Sequence, residues 1–262
     1  MSFEHLAFDN HSVPHVIRIT LHRPQVRNAF NSELIAELDN AFEAIAADPQ
    51  VRAVVLAAEG KTFCAGADLN WMQAMAGYTW FENLADAQAL AQMLHRLYTC
   101  PVPVVARIQG DCYGGGVGLA AVCDVLVVAE GVQFCLSEAK LGLVPATISP
   151  YVVRALGAQA ARRYFVTAER FSAQRAQALG WVHEVCAAEL LDTTVDAIVA
   201  SIAANGPLAT RACKALVQDV VGRPLTDALQ ADTARLIADI RSSPEGQEGI
   251  RSFLDKRPPA WR

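Results

Sequence analysis

Phe63-Cys64-Ala65-Gly66-Ala67-Asp68 and, further along, Gly114-Gly115-Gly116-Val117-Gly118 are the two stretches on which the fold and the chemistry turn. Each places small residues where the chain leaves an apolar strand and enters a helix-like stretch, so backbone N–H groups can point unobstructed at one bound oxygen. Taken singly, either stretch is as readily a tight strand-to-helix packing turn, because glycine turns are common in α/β proteins. Taken together they suggest an oxyanion hole. Two converging amides stabilise negative charge developing on a carbonyl oxygen, each contributing roughly 10²–10³ in rate.

Working outward, three apolar runs, Ala53–Ala58, Val102–Ile108 and Val125–Ala129, are separated by segments long enough to hold crossover helices, which predicts buried, largely parallel strands. Both glycine stretches should follow directly after such strands, where ligands sit in α/β sheets. Upstream, Phe3–Phe8 and Val16–Leu21 read as a hairpin edge. Leu34, Leu38, Phe42 and Ile45 recur at helical spacing between an Asn31 N-cap and Asp48-Pro49. Beyond Ser149 strand patterns disappear, and Ile198, Ile202, Leu216, Leu229, Leu236 and Ile240 mark a mostly helical carboxy-terminal region.

The chain has 262 residues, 53% of them apolar, enough for a packed interior. A net charge of −5 with scattered basic residues argues against a nucleic-acid partner, which normally requires a continuous cationic footprint. The seven cysteines are dispersed, without C-x-x-C metal spacing or a paired framework, and read as reduced thiols with no metal site. The opening residues lack a basic and apolar leader and no apolar run reaches membrane-spanning length, so a cytoplasmic protein with no membrane partner is expected.

Other glycine-loop chemistries fail on detail. There is no G-x-x-x-x-G-K-[ST], Leu119 stands where the dinucleotide fingerprint needs its third glycine, and Ser137 lacks the glycine frame of a nucleophile elbow. Proton transfer needs another group, and Glu138 is the best candidate. It follows a further apolar strand in the uncharged setting Phe134-Cys135-Leu136-Ser137-Glu138-Ala139. Desolvation there raises a carboxyl pKa toward the range of a general acid or base. A solvated glutamate paired with Lys140 or capping a helix fits the local sequence equally well.

Arg23-Pro24 to Asn28-Ala29-Phe30, the Cys-Ala-Gly-Ala-Asp segment, the triple glycine, Cys123-Asp124 and Ser137-Glu138 through Gly142 together resemble the crotonase, or enoyl-CoA hydratase/isomerase, superfamily. The resemblance continues through Ser243-Pro244-Glu245-Gly246 and Phe253-Leu254-Asp255-Lys256-Arg257-Pro258. It implies an α/β fold: a spiral core of ββα units over residues 1–200, and a helical region over residues 201–262 that builds a homotrimer or a dimer of trimers. It implies a coenzyme A thioester as substrate, with no redox or metal cofactor, its carbonyl bound by the N–H groups of Ala67 and Gly115 and its proton chemistry performed by Glu138. For the coenzyme it implies Arg27 to Ala29 along the pantetheine arm, Cys64 and Ala65 near adenine, and Phe253 and Lys256 from an adjoining subunit. Arg23 is either a further cation near the phosphates or an ordinary solvated charge, and Asp68 is a cap for the helix after the first loop.

Hydratases of this superfamily usually carry a second glutamate at the position held here by Gly118. Its absence leaves Glu138 alone or with a substitute; Tyr113 and Asp111 are the nearby options, though both also read as turn or packing residues. Ala67–Met72, Gly116–Leu119 and Ser149–Val153 resemble the bacterial 3-methylglutaconyl-CoA and isohexenylglutaconyl-CoA hydratases, and Arg154 is available for a second substrate carboxylate or is a helix-face charge. The expected reaction is hydration of a 2,3-unsaturated acyl-CoA. The alternatives are a Δ-isomerase using one glutamate and a noncatalytic acyl-CoA-binding homologue.

Overall fold

The structure, a computed structural model, describes residues 3–262. Strands β1 (Leu6–Asn10) and β2 (Val16–Leu21) form the expected antiparallel edge, with Leu6 opposite Leu21. The first strand lies later than the alternation predicted, because the Phe3 ring stacks on Phe8 at 4.9 Å instead of entering the ladder. Helix α1 (Ser32–Ala47) starts where expected: the Asn31 side chain accepts a hydrogen bond from Leu34 N, and Leu34, Leu38, Phe42 and Ile45 turn a buried stripe to the sheet.

The chain then repeats one pattern. In the first turn β3 (Ala53–Ala58) is followed by β4 (Thr62–Cys64), α2 (Leu69–Met75) and α3 (Trp80–Thr99). In the second, β5 (Val104–Ile108) is followed by β6 (Asp111–Tyr113) and α4 (Gly115–Ala121). In the third, β7 (Val125–Ala129) is followed by β8 (Gln133–Cys135), a 3₁₀ turn (Glu138–Leu141) and α5 (Ser149–Leu156). Then come α6 (Ala158–Thr167), β9 (Arg170–Ser172), α7 (Ala173–Ala178), β10 (Glu184–Cys186) and α8 (Leu191–Ala203). Helices α9 (Pro207–Val220), α10 (Asp227–Ser242) and α11 (Pro244–Leu254) complete the chain.

The first strand of each turn joins a six-stranded sheet in the order β1-β2-β3-β5-β7-β10; the second joins a four-stranded sheet in the order β4-β6-β8-β9. Pairing from β2 through β10 is parallel, and all six residues of β3 are buried, as a strand covered on both faces requires. Helix α8 covers β3, β5 and β7. The glycine stretches therefore do not follow the long apolar strands directly. They follow β4 and β6, short strands of three residues each whose composition carries little periodic signal. For the same reason β9 and β10 escaped a reading that ended all strands at Ser149; both are three residues long and take their place from pairing, β9 on β8 and β10 on β7.

Helix α9 is tied to the end of the main sheet at which β3, β5 and β7 begin. Lys214 on α9 donates to Asp124 Oδ2 at 2.6 Å and to Val102 O, and Arg211 donates to Asp48 O and Val51 O, all ahead of the strands they precede. Arg52 ties Trp261 O to the same end. No helix among the described residues is long and apolar enough to cross a membrane.

The α1 cap gives a direct check on this local account. Asn31→Ala should lower unfolding stability by about 1 kcal/mol in a denaturant titration, and Asn31→Asp should keep most of it.

Candidate active site

The four-stranded sheet builds the site. Because β4, β6 and β8 pair in parallel, the segments leaving them emerge side by side at the same end, at the spacing of roughly 4.8 Å that strand pairing sets. The β6 exit lies in the middle. Its Gly114 N donates to Cys135 O at 2.9 Å, extending the β6–β8 pairing past the last strand residue. A Cβ placed on Gly114 would stand 3.2 Å from Glu138 Oε1 and 4.0 Å from Gly66 Cα. One placed on Gly66 would stand 3.0 Å from Tyr113 O. Positive φ values, +88° at Gly66 and +49° at Gly114, restrict both positions to glycine, and at Gly66 the close approach of the Tyr113 carbonyl adds to this.

The direction of the Ala67 amide follows from its ladder. Phe30 N donates to Gly66 O at 2.7 Å and Asp68 N donates to Phe30 O at 2.8 Å, forming an isolated parallel bridge. Since alternate peptide groups in an extended segment face opposite ways, the Ala67 N–H points away from Phe30. Gly115 is the first residue of α4, so its N–H is one of those no helical carbonyl can reach. Phe30 backs this loop too, its ring 2.9 Å from where a Gly115 Cβ would be. Among the described residues neither the Ala67 nor the Gly115 amide has an acceptor, and both residues are partly exposed between buried neighbours.

Glu138 opens the 3₁₀ turn after β8 and is half-buried. Its Oε2 is buried with no hydrogen-bond partner. Burial pushes the carboxyl above the usual glutamate value, only partly opposed by its own backbone N–H. It neither pairs with Lys140 nor caps a helix, the two bland options the sequence left open.

One expectation is corrected here. Arg23 is no phosphate-facing or solvated cation: it is buried, donating to Ala29 O and pairing with Asp68 Oδ2 at 3.1 Å. Asp68 does cap α2, through Asn70 N, and holds Arg23 with its other oxygen. Tyr113 and Asp111 are spoken for, because the Tyr113 hydroxyl donates to Asp111 Oδ2 at 2.8 Å and Asp111 Oδ1 accepts from Gln133 N. Arg154 donates to Pro150 O on its own helix.

Arg27, Ala29 and Ala65 come together, with Ala65 N donating to Arg27 O at 3.0 Å. Cys64 is wholly buried and its thiol is pushed up to about 12 by desolvation, so of this pair only Ala65 is partly exposed. Phe253 is exposed on the last turn of α11 beside the Ala204–Gly206 turn, and Lys256 is exposed just beyond that helix.

One residue of the site carried no sequence signal that was read. Ile148, buried at the start of α5, packs directly on Gly118, and a Cβ at position 118 would overlap Ile148 Cγ2. The place of a second carboxylate is filled by a branched hydrocarbon. A glycine inside a helix is itself a sign of close packing, and Gly118 within α4 could have been read that way.

Two small-residue loops and a desolvated glutamate thus meet at one end of a fold wound from ββα turns. Residues 12–262 match the enoyl-CoA hydratase/isomerase family, and the chain belongs to it. A relative from Thermus thermophilus is 36% identical over 247 residues, 94% of this chain and 97% of its own. The 2,3-dehydroadipyl-CoA hydratase of Escherichia coli is 32% identical, covering 94% of this chain and 95% of the relative. The crystal structure of an enoyl-CoA hydratase from Shewanella pealeana is 38% identical with a TM-score of 0.95, covering 99% of this chain and 96% of that one. The chain is thus an enzyme of the enoyl-CoA hydratase/isomerase type with the crotonase fold, in a family that acts on coenzyme A thioesters.

The plug at position 118 has a thermodynamic signature. Gly118→Ala should cost about 1–3 kcal/mol of stability through overpacking. In an Ile148→Ala background the same change should cost much less, so a double-mutant cycle should return a coupling of about 0.5–3 kcal/mol. Additive costs would show that Ile148 is not the obstacle.

Proposed function

We propose that the enzyme adds water across the 2,3-double bond of an acyl-CoA, with Glu138 as the sole proton-transfer group and the Ala67 and Gly115 amides holding the thioester oxygen. The observation that carries this reading is the meeting of Gly66, Gly114 and Glu138 at one point, with Glu138 Oε2 buried and unpartnered. A thioester carbonyl is weakly resonance-stabilised, so charge moves readily onto its oxygen when a nucleophile attacks C3, and fixed amides stabilise that enolate more than the ground state. Glu138 takes a proton from water as the oxygen bonds to C3, then delivers one to C2 as the enolate collapses. One carboxyl thereby serves as base and acid within a turnover, which suits a raised pKa.

For the substrate we favour a branched, dicarboxylic acyl group of the methylglutaconyl type. Two considerations support it: the matches at Ala67–Met72, Gly116–Leu119 and Ser149–Val153, and a relative named for 2,3-dehydroadipyl-CoA, whose acyl group also carries a second carboxylate. The coenzyme would lie along Arg27–Ala29 and Cys64–Ala65. The exposed Phe253 and Lys256 would reach it from a second copy in a trimer or a dimer of trimers. In this arrangement residues 1–200 carry catalysis and residues 201–262 carry assembly.

The apolar plug at Gly118 also favours a second reading, a Δ-isomerase, since moving a double bond needs one proton shuttle and an oxyanion hole but no second carboxylate. Turnover in ¹⁸O-labelled water separates the two: a hydratase puts the label on carbon, an isomerase leaves the product unlabelled.

Glu138→Gln should keep acyl-CoA binding and lower turnover by about 10²–10⁴-fold. Near-normal turnover in a folded variant would remove Glu138 from the chemistry. Because burial raises this carboxyl and the ionised form is the base that starts hydration, the acid limb of the kcat/KM profile should lie above the ordinary glutamate value of 4.5. Activity would then fall as pH drops through that limb. Methylglutaconyl-CoA should outpace crotonyl-CoA in kcat/KM, and the reverse order would overturn the substrate assignment.

A further inference from the structure

We infer that Arg23 and Asp68 are positioning residues that aim the Ala67 amide, so that the segment cradling the coenzyme and the segment polarising the carbonyl are locked into one unit. This rests on the oxyanion role proposed above for Ala67. Arg23 and Asp68 are 8% and 4% exposed, and the ion pair between them is among the most deeply buried in the chain. The guanidinium grips both sides of the short ladder at once. One amino group donates to Ala29 O, on the coenzyme side, and the other donates to Asp68 Oδ2, on the carbonyl side.

Between these two grips lie the bonds that set the Ala67 peptide. Phe30 N holds Gly66 O on one flank, and Phe30 O holds Asp68 N on the other. The opposite end of the ladder is fixed by Ala65 N on Arg27 O. Arg27 and Asn28 sit in the left-handed region at φ values of 55° and 54°, unusual for consecutive non-glycine residues. Asn28 secures that conformation with its whole side chain: Oδ1 accepts from Arg23 N, and Nδ2 donates to Glu59 O and Thr62 O. Arg23 is thus the one residue bound to the strained turn by its backbone and to both ladder strands by its side chain.

A purely stabilising role fits this geometry poorly. Arg23 Nε is buried without a partner, a cost that a pair serving stability alone would be expected to avoid. A fork that reaches two acceptors on two segments is what guanidinium offers and ammonium does not. Lysine at position 23 could hold Asp68 or Ala29 O, but not both in the same plane.

The test reads carbonyl polarisation directly, as the red shift of a para-substituted cinnamoyl-CoA chromophore bound to the full chain. Wild type should shift the band, and Arg23→Lys and Asp68→Asn should each lose at least about half of that shift. In the same variants kcat should fall about 10–100-fold while KM stays within about threefold, because an oxyanion donor acts in the transition state. Asn is a strong N-cap, so Asp68→Asn keeps the α2 start and remains informative if Arg23→Lys does not fold. Glu138→Gln should keep the full shift while losing turnover. A full shift in both brace variants, with only a lower melting temperature, would overturn the positioning role. A wild-type complex with no shift would instead strike the oxyanion assignment itself, and the brace with it.

Discussion

Parallel pairing of three very short strands is the constraint from which the site follows. β4, β6 and β8 contribute three residues each, yet their pairing places the exits of three successive chain turns side by side. The middle exit is glycine because its backbone turns at a φ of +49°, with Gly66 in contact on one side and the Glu138 carboxylate close on the other. What looks in sequence like three unrelated motifs is one contact repeated across a sheet.

That contact also explains the electrostatics. Backbone amides are fixed dipoles that need no counter-ion and no reorganisation, so they can be left unpaired at a cleft where an anionic oxygen will sit. A carboxylate is different: leaving Glu138 Oε2 buried without a partner raises its pKa above the usual glutamate value, the direction that the proton-transfer role proposed for it needs. Ile148 over Gly118 keeps that corner of α4 apolar.

Much of the architecture was legible from residue patterns. The long strands β3 and β7 fell where their apolar runs lie, and α1 began at its Asn31 cap, because burial on both faces and helix capping leave strong local marks. The short strands β9 and β10 were not legible, since three residues carry no usable period and their place comes from partners distant in the chain. At the site, Glu138 stood out by its uncharged setting and the two loops by their small residues, while the choice of Ala67 and Gly115 within them came from the family resemblance. Arg23 could not be understood that way: its neighbours left it a cation near the phosphates or a solvated charge, and only the fold brings Asp68 and Ala29 O to it. Ile148 was hidden for the same reason, being remote in sequence from the glycine it covers.

The central claim is that one thioester oxygen sits between the two loops. The most direct measurement is a crystal structure of the enzyme with a saturated acyl-CoA bound. The carbonyl oxygen should lie about 2.7–3.1 Å from both Ala67 N and Gly115 N, with C2 and C3 facing Glu138. A carbonyl beyond hydrogen-bond reach of both amides, in a fully occupied complex, would contradict the account.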